Sequence, residues 1–92
     1  MILLDTNVVI AYLNGNKAVS ERIRAEIDKI AISTLVAAEL DYGAKASRNA
    51  RKNLGNLYRF LDIVQVIPFD LECAKNFGTI KKQASKYWQT YG

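Results

Sequence analysis

Three short runs in this 92-residue chain are almost wholly apolar or β-branched: Ile2-Leu3-Leu4, Ile30-Ala31-Ile32 and Ile63-Val64-Gln65-Val66-Ile67. A strand with one wet face alternates apolar and polar residues, whereas these read as strands buried on both faces, the habit of a parallel sheet. Parallel neighbours cannot be joined by a tight hairpin and need a crossover, usually helical. The intervening segments supply it. Val8, Val9, Tyr12 and Leu13 carry an apolar face after Asp5 or Thr6 as cap, and Asn14-Gly15-Asn16 ends that helix. Val19, Ile23 and Ile27 repeat every four residues and predict a helix over 17–29. Ser33 or Thr34 caps a helix from Leu35 to about Ser47, and Leu54, Leu57, Phe60 and Leu61 mark another over about 49–61. Pro68 closes the third strand, and a last helix opens near Asp70 with Cys73, Phe77, Ile80, Ala84 and Tyr87 on its apolar stripe. The predicted order is β-α-α-β-α-α-β-α, one α/β domain over residues 1–92 with a short three-stranded parallel sheet and right-handed crossovers.

Composition removes whole classes of chemistry. The chain has no histidine, which excludes Ser-His-Asp and Cys-His catalysis and histidine metal ligation together. A metal would have to be held by oxygen, which favours Mg²⁺ or Mn²⁺ over Zn²⁺. Cys73 is the one cysteine, so no internal disulfide forms, and it reads as a small core residue. No apolar stretch approaches the roughly 18–20 residues of a membrane span. The N-terminus has no basic leader and its apolar run is broken by Asp5 and Asn7, so a cytoplasmic location without membrane contact is expected. The net charge of +4 is unevenly spread: residues 1–44 carry four basic and six acidic side chains, residues 45–92 nine and three. An acidic half beside a basic half suits a polyanion that bridges a metal; a solvated basic surface is the plainer alternative.

Two carboxylates stand where such chemistry would be built. Asp5 closes the first strand, and Glu39 lies about one turn into the helix that follows the second. Ligands of parallel α/β sheets gather beyond the carboxyl ends of the strands, so the two acids can converge there on one hard cation. A polarised phosphodiester and an activated water then give hydrolysis. Each acid has a simpler reading, Asp5 as a helix cap and Glu39 as a surface residue. Leu35, Val36, Tyr42 and Gly43 surround Glu39 at helical spacing and place it on a mostly apolar stripe. Thr6 and Asn7 either orient metal-bound water or cap the helix. Asp41 is expected to be solvated, and Asp70 to cap the last helix. Lys45, Arg48, Arg51 and Lys52 cluster at a helix junction and either hold a nucleic-acid backbone or form a solvated surface.

Ile2-Leu3-Leu4-Asp5-Thr6-Asn7 with Ile10-Ala11-Tyr12-Leu13, then Ile32-Ser33, then Ala38-Glu39-Leu40-Asp41-Tyr42-Gly43, resembles the PIN domain family. Val66-Ile67-Pro68-Phe69-Asp70, followed by Ala74, Phe77-Gly78 and Ile80, is similar to its third strand and next helix. The nearest group is the VapC-like toxins of toxin–antitoxin pairs. The resemblance covers about residues 1–86 and implies a three-layer α/β/α sandwich. It implies an Mg²⁺- or Mn²⁺-dependent endoribonuclease acting on RNA, a homodimer, and a cognate antitoxin that covers the acidic site. Asp5 takes the place of the family's first acidic ligand, Glu39 of its second, and Thr6 of a hydroxyl beside the site.

The family continues with a third and often a fourth Asp and two more strands, whereas here no Asp follows Asp70. A member shortened at its C-terminus is therefore expected, with metal affinity lowered at least 10–100-fold and activity lowered with it. The family's first strand is central, so residues 2–4 are expected to form an exposed apolar edge through which two copies pair or swap elements. The alternatives are a non-catalytic PIN remnant that binds protein, and an RNA-binding module that uses Lys45 to Lys52 without hydrolysis.

Overall fold

The computed structural model describes residues 1–72 and Lys75. The chain runs β1 (Ile2–Leu3), α1 (Thr6–Leu13), α2 (Lys17–Ala25), β2 (Ile30–Ser33), α3 (Thr34–Lys45), α4 (Ala50–Ile63) and β3 (Gln65–Ile67). All strand pairs are parallel, in the order β1-β2-β3. Ile2 pairs with Ile30, and Ala31, Ile32 and Ser33 pair with Gln65, Val66 and Ile67. The α/β class and the element order are those expected through the third strand. Helical residues reappear at Leu71 and Glu72. The apolar stripe expected on the last helix, from Cys73 to Tyr87, lies outside the described residues.

Every residue of β2 is buried, as its lack of polar alternation demands. Its hydroxyl-bearing member, Ser33, is buried without penalty because its Oγ accepts the Val36 amide at 3.1 Å and caps α3. Leu4, Val8, Val9, Val19, Ile23, Leu57 and Phe60 join Ile30 and Ile32 in one core. Each fully buried aliphatic side chain is worth roughly 1.5–3 kcal/mol relative to exposure, so this cluster dominates the fold. Among the described residues no helix is long and apolar enough to cross a membrane.

Three boundaries differ from the periodicity. α2 stops at Ala25 instead of running to 29, because the Glu26 amide turns back to the carbonyls of Arg22 and Ile23 and Lys29 bonds to Glu26 at 2.8 Å. The chain needs that turn to enter β2, and Ile27 still packs half-buried against the core. α3 closes at Lys45 and Ser47 belongs to the following turn, where its Oγ donates to the Ala44 carbonyl at 2.6 Å. Ile63 belongs to α4 and not to β3: the Val64 amide bonds to the Phe60 carbonyl at 3.2 Å, and β-branching does not override that helical register.

β1 lies at one end of the sheet among the described residues, as expected, but it is not an exposed apolar surface. Leu3 and Leu4 are 9% and 1% exposed, and Leu4 packs into the core cluster. What remains open is backbone. The Ile2 and Leu4 amides bond to Lys29 and Ala31 of the β2 segment, so the intervening Leu3 peptide faces outward.

α3 and α4 are stapled by Asp41, which faces its neighbour helix and not open solvent as expected. Its Oδ2 lies 2.8 Å from Lys45 Nζ, and its Oδ1 accepts from Tyr58 Oη at 2.8 Å. The Lys45 bond, then the Tyr58 bond, holds the Asp41 carboxyl below its usual 3.8. The same contact raises Lys45 above 10.5 and Tyr58 above 10.0. The depressed carboxyl stabilises the fold above pH 3.8, an effect lost as pH falls through its folded value. The raised tyrosine and lysine stabilise below 10.0 and 10.5, an effect lost as pH rises past their folded values. Tyr58→Phe is therefore expected to lower the melting temperature between about pH 5 and pH 9, with the gap closing toward both extremes. Thermal unfolding by circular dichroism across that range checks it, and a gap independent of pH would remove the staple from the account.

Candidate functional site

Asp5 leaves β1 and becomes the cap of α1: its Oδ1 accepts the Val8 amide at 3.0 Å. The capping reading is thus correct, but it engages only one oxygen. Oδ2 has no hydrogen bond among the described residues and stays available to a cation. Thr6 and Asn7 form the first turn of α1, Thr6 half-buried and Asn7 exposed.

Glu39 lies in the second turn of α3, on an exposed face. The apolar stripe expected around it is real, but it is mostly wet. Of its members only Val36 is buried; Leu35 and Tyr42 are 41% and 74% exposed, because α3 turns Val36 and Leu40 toward the core. Glu39 borders a groove of about 240 Å³ between α1, α3 and α4. Ile10, Leu13 and Asn14 form the α1 wall, and Asn53, Asn56 and Leu57 the α4 wall. Ile10 follows Thr6 by four residues and Asn7 by three, so one α1 face runs from those two residues down to the Glu39 groove. Asp5 thus caps α1 at the carboxyl end of β1 and Glu39 lies in the helix that follows β2, but Asp5 is not among the residues that line the Glu39 groove.

The amide side chains Asn14, Asn53 and Asn56 are members of this groove that sequence reasoning missed. The spacing of Asn53 and Asn56 on one face of α4 was the available signal, but nothing local says that α3 leaves that face uncovered. Gly43 of α3 also lines the groove, and a side chain there would meet open space.

The four basic residues expected to hold nucleic acid do not act alike. Lys45 is spent on Asp41. Arg48, Arg51 and Lys52 are exposed around the start of α4, where Asn49 makes no side-chain capping bond and the first amides keep their positive potential. None of the four lines the Glu39 groove.

Comparison with known proteins places this geometry. The family model described as the PIN domain matches residues 2–88. Ribonuclease VapC2 of Haemophilus influenzae is 30% identical over 91 residues, covering 98% of this chain and 69% of that protein. The tRNA(fMet)-specific endonuclease VapC of Shigella flexneri is 30% identical over the same shares. Among solved structures, DNA-bound VapBC from Salmonella typhimurium superposes with a TM-score of 0.74 at 27% identity, covering 95% of this chain and 68% of that one. VapBC2 from Rickettsia felis, bound to a promoter DNA fragment, gives 0.72 at 27% identity with the same coverage. This chain therefore spans about two thirds of the length of those relatives and belongs to the PIN domain family, beside the VapC ribonucleases.

Proposed function

We propose that this chain is a VapC-type endoribonuclease toxin that hydrolyses RNA phosphodiesters in the cytoplasm, with Asp5 and Glu39 holding Mg²⁺ or Mn²⁺. The observation that carries the reading is the open Oδ2 of Asp5 at the carboxyl end of β1, its carboxylate fixed in one orientation by the cap. The donor set fits such an ion. No group of three or more His, Cys, Asp or Glu side chains gathers among the described residues. Mg²⁺ commonly takes only one or two carboxylates, completing its shell with water and substrate phosphate. When bound there, the ion would supply Lewis acidity to the phosphodiester and acidify a water. Asp5 and Glu39 would contribute the negative charge that holds it, and Thr6 and Asn7 would orient water at the first turn of α1. Arg48, Arg51 and Lys52 would hold the RNA backbone at the start of α4, with Lys45 contributing least because Asp41 neutralises it.

Asp5→Asn keeps a side chain that caps as well as aspartate, and Glu39→Gln alters an exposed position, so each variant should retain stability within about 0.5 kcal/mol. Cleavage of single-stranded RNA in Mn²⁺ is expected to fall by about 100-fold in each. Unchanged cleavage in both, measured with a labelled oligonucleotide, would overturn the assignment of the two acids.

An antitoxin is the partner this surface suits. Ile10, Leu35 and Tyr42 are 43%, 41% and 74% exposed around Glu39, an apolar rim that a helical segment would cover while masking the carboxylate. Gly43→Leu would project into the groove from a Cβ position that has nothing within 4 Å. It is expected to weaken binding of a VapB-type antitoxin peptide at least tenfold by calorimetry without lowering the melting temperature, since leucine is the better helix former. Undiminished binding would move the partner elsewhere. If cleavage is absent and peptide binding persists, the non-catalytic binding module takes precedence.

The outward Leu3 peptide of β1 also suits pairing with a second copy, as a homodimer or by exchange of elements. Sedimentation should then show a dimer at micromolar concentration, and a monomer at high concentration would reject pairing through this edge.

A further inference from the structure

A second cavity of about 480 Å³ adjoins the Glu39 groove and shares Leu13 and Asn56 with it. It brings together Arg24 of α2 and Arg59 of α4, two residues that lie outside the basic cluster at the start of α4. Ser20 and Asn56 add a hydroxyl and an amide to its lining. Its floor is aromatic: the rings of Tyr12 and Phe60 lie 5.0 Å apart at 43°. Arg59 donates to Asn56 Oδ1, and Asn56 lines both cavities. No carboxylate among the described residues closes on Arg24 or Arg59 in an ion pair. Glu21 and Asp62 are near in sequence, yet neither lines the cavity.

Asn53, Asn56, Arg59 and Ile63 follow one another at helical spacing along α4. Asn53 and Asn56 border the Glu39 groove; Asn56, Arg59 and Ile63 border the arginine cavity. Asn53 and Arg59 are separated by roughly 9 Å of helix rise. One face of α4 thus runs as a rail from the carboxylate to the arginine pair.

We propose that the Arg24–Arg59 cavity holds backbone phosphate of the RNA strand whose scissile bond lies at the acidic site, fixing which phosphodiester is presented. The ligand class rests on the ribonuclease reading; the geometry of the cavity does not. Guanidinium pairs recognise phosphate by bidentate, charge-assisted hydrogen bonds, and Arg keeps its charge at every physiological pH. Tyr12, half-buried against Phe60 beside the pair, offers ring surface on which a base stacks while the phosphate is held. Ile63, 58% exposed at the rim, is available to the same base.

The test is binding of a fluorescein-labelled single-stranded RNA 12-mer in EDTA, by anisotropy over a salt series, with cleavage in Mn²⁺ measured separately. The Arg24→Ala/Arg59→Ala double variant is expected to lose about tenfold in affinity. The slope of log affinity against log salt should fall by about 1.4, the release of two single-strand contacts. Arg24→Lys/Arg59→Lys keeps the charge and should recover most of the slope, which separates phosphate binding from damage to the fold. Inorganic phosphate at millimolar concentration should not compete if the strand is what is held; competition that abolishes RNA binding would make this a free-anion site and overturn the proposal. Unchanged affinity and slope in the double alanine variant would also overturn it, even if the wild type cleaves RNA. Loss of slope with no cleavage by the wild type would instead overturn the ribonuclease reading and leave the arginine site standing.

Discussion

β2 is the constraint from which the rest follows. Its four residues are buried, and it is paired on both sides by parallel strands. A strand so placed satisfies its peptides laterally and its side chains above and below, so the helices must cover it. Parallel pairing also makes the carboxyl ends of β1 and β2 emerge on one edge of the sheet. Asp5 and the helix bearing Glu39 begin there for that reason, far apart in the chain though they are.

Around this centre the polar residues act through local geometry. Ser33 is tolerated inside because it caps α3. Asp5 caps α1 in the same way, but from a half-buried position with one oxygen open. Two residues with the same capping role thus differ in consequence: Ser33 has no further lone charge to offer, and Asp5 has. Asp41, Lys45 and Tyr58 tie α3 to α4 across their exposed side. The groove whose α4 wall carries Asn53 and Asn56 is lined by none of these three. The basic side chains divide accordingly. Lys45 maintains the helix pair, Arg48, Arg51 and Lys52 surround the start of α4, and Arg59 joins Arg24 at its far half.

Much of this was legible without coordinates, and the failures have particular causes. Gly15 ends α1 with φ +83, as Asn14-Gly15-Asn16 advertised. Val19 and Ile23 are buried as their spacing required, but the pattern continued to Ile27 where the backbone had already turned toward β2. Ile63 looked like strand because it is β-branched, although helix cooperativity carried α4 through it. Glu39 was placed on a mostly apolar stripe of Leu35, Val36, Tyr42 and Gly43, of which only Val36 is buried. Val36 and Leu40 turn toward the core instead, and periodicity cannot say which apolar residues of such a helix are covered. Asp41 was read as solvated because its partner, Tyr58, sits on another helix.

The residue pattern alone determined the α/β class, the parallel sheet, the positions of the helices and the inventory of side chains on which any site must draw. These depend on periodicity, capping chemistry and residue inventory, all of which act over a few neighbouring positions. Tertiary packing alone decided which face of α3 stays wet, that Asp41 clasps α4, and that Arg24 and Arg59 share a cavity with Asn56. Those outcomes depend on how helices rotate about their own axes when they meet. Side chains distant along the chain set that rotation together, and no local stretch of sequence encodes it.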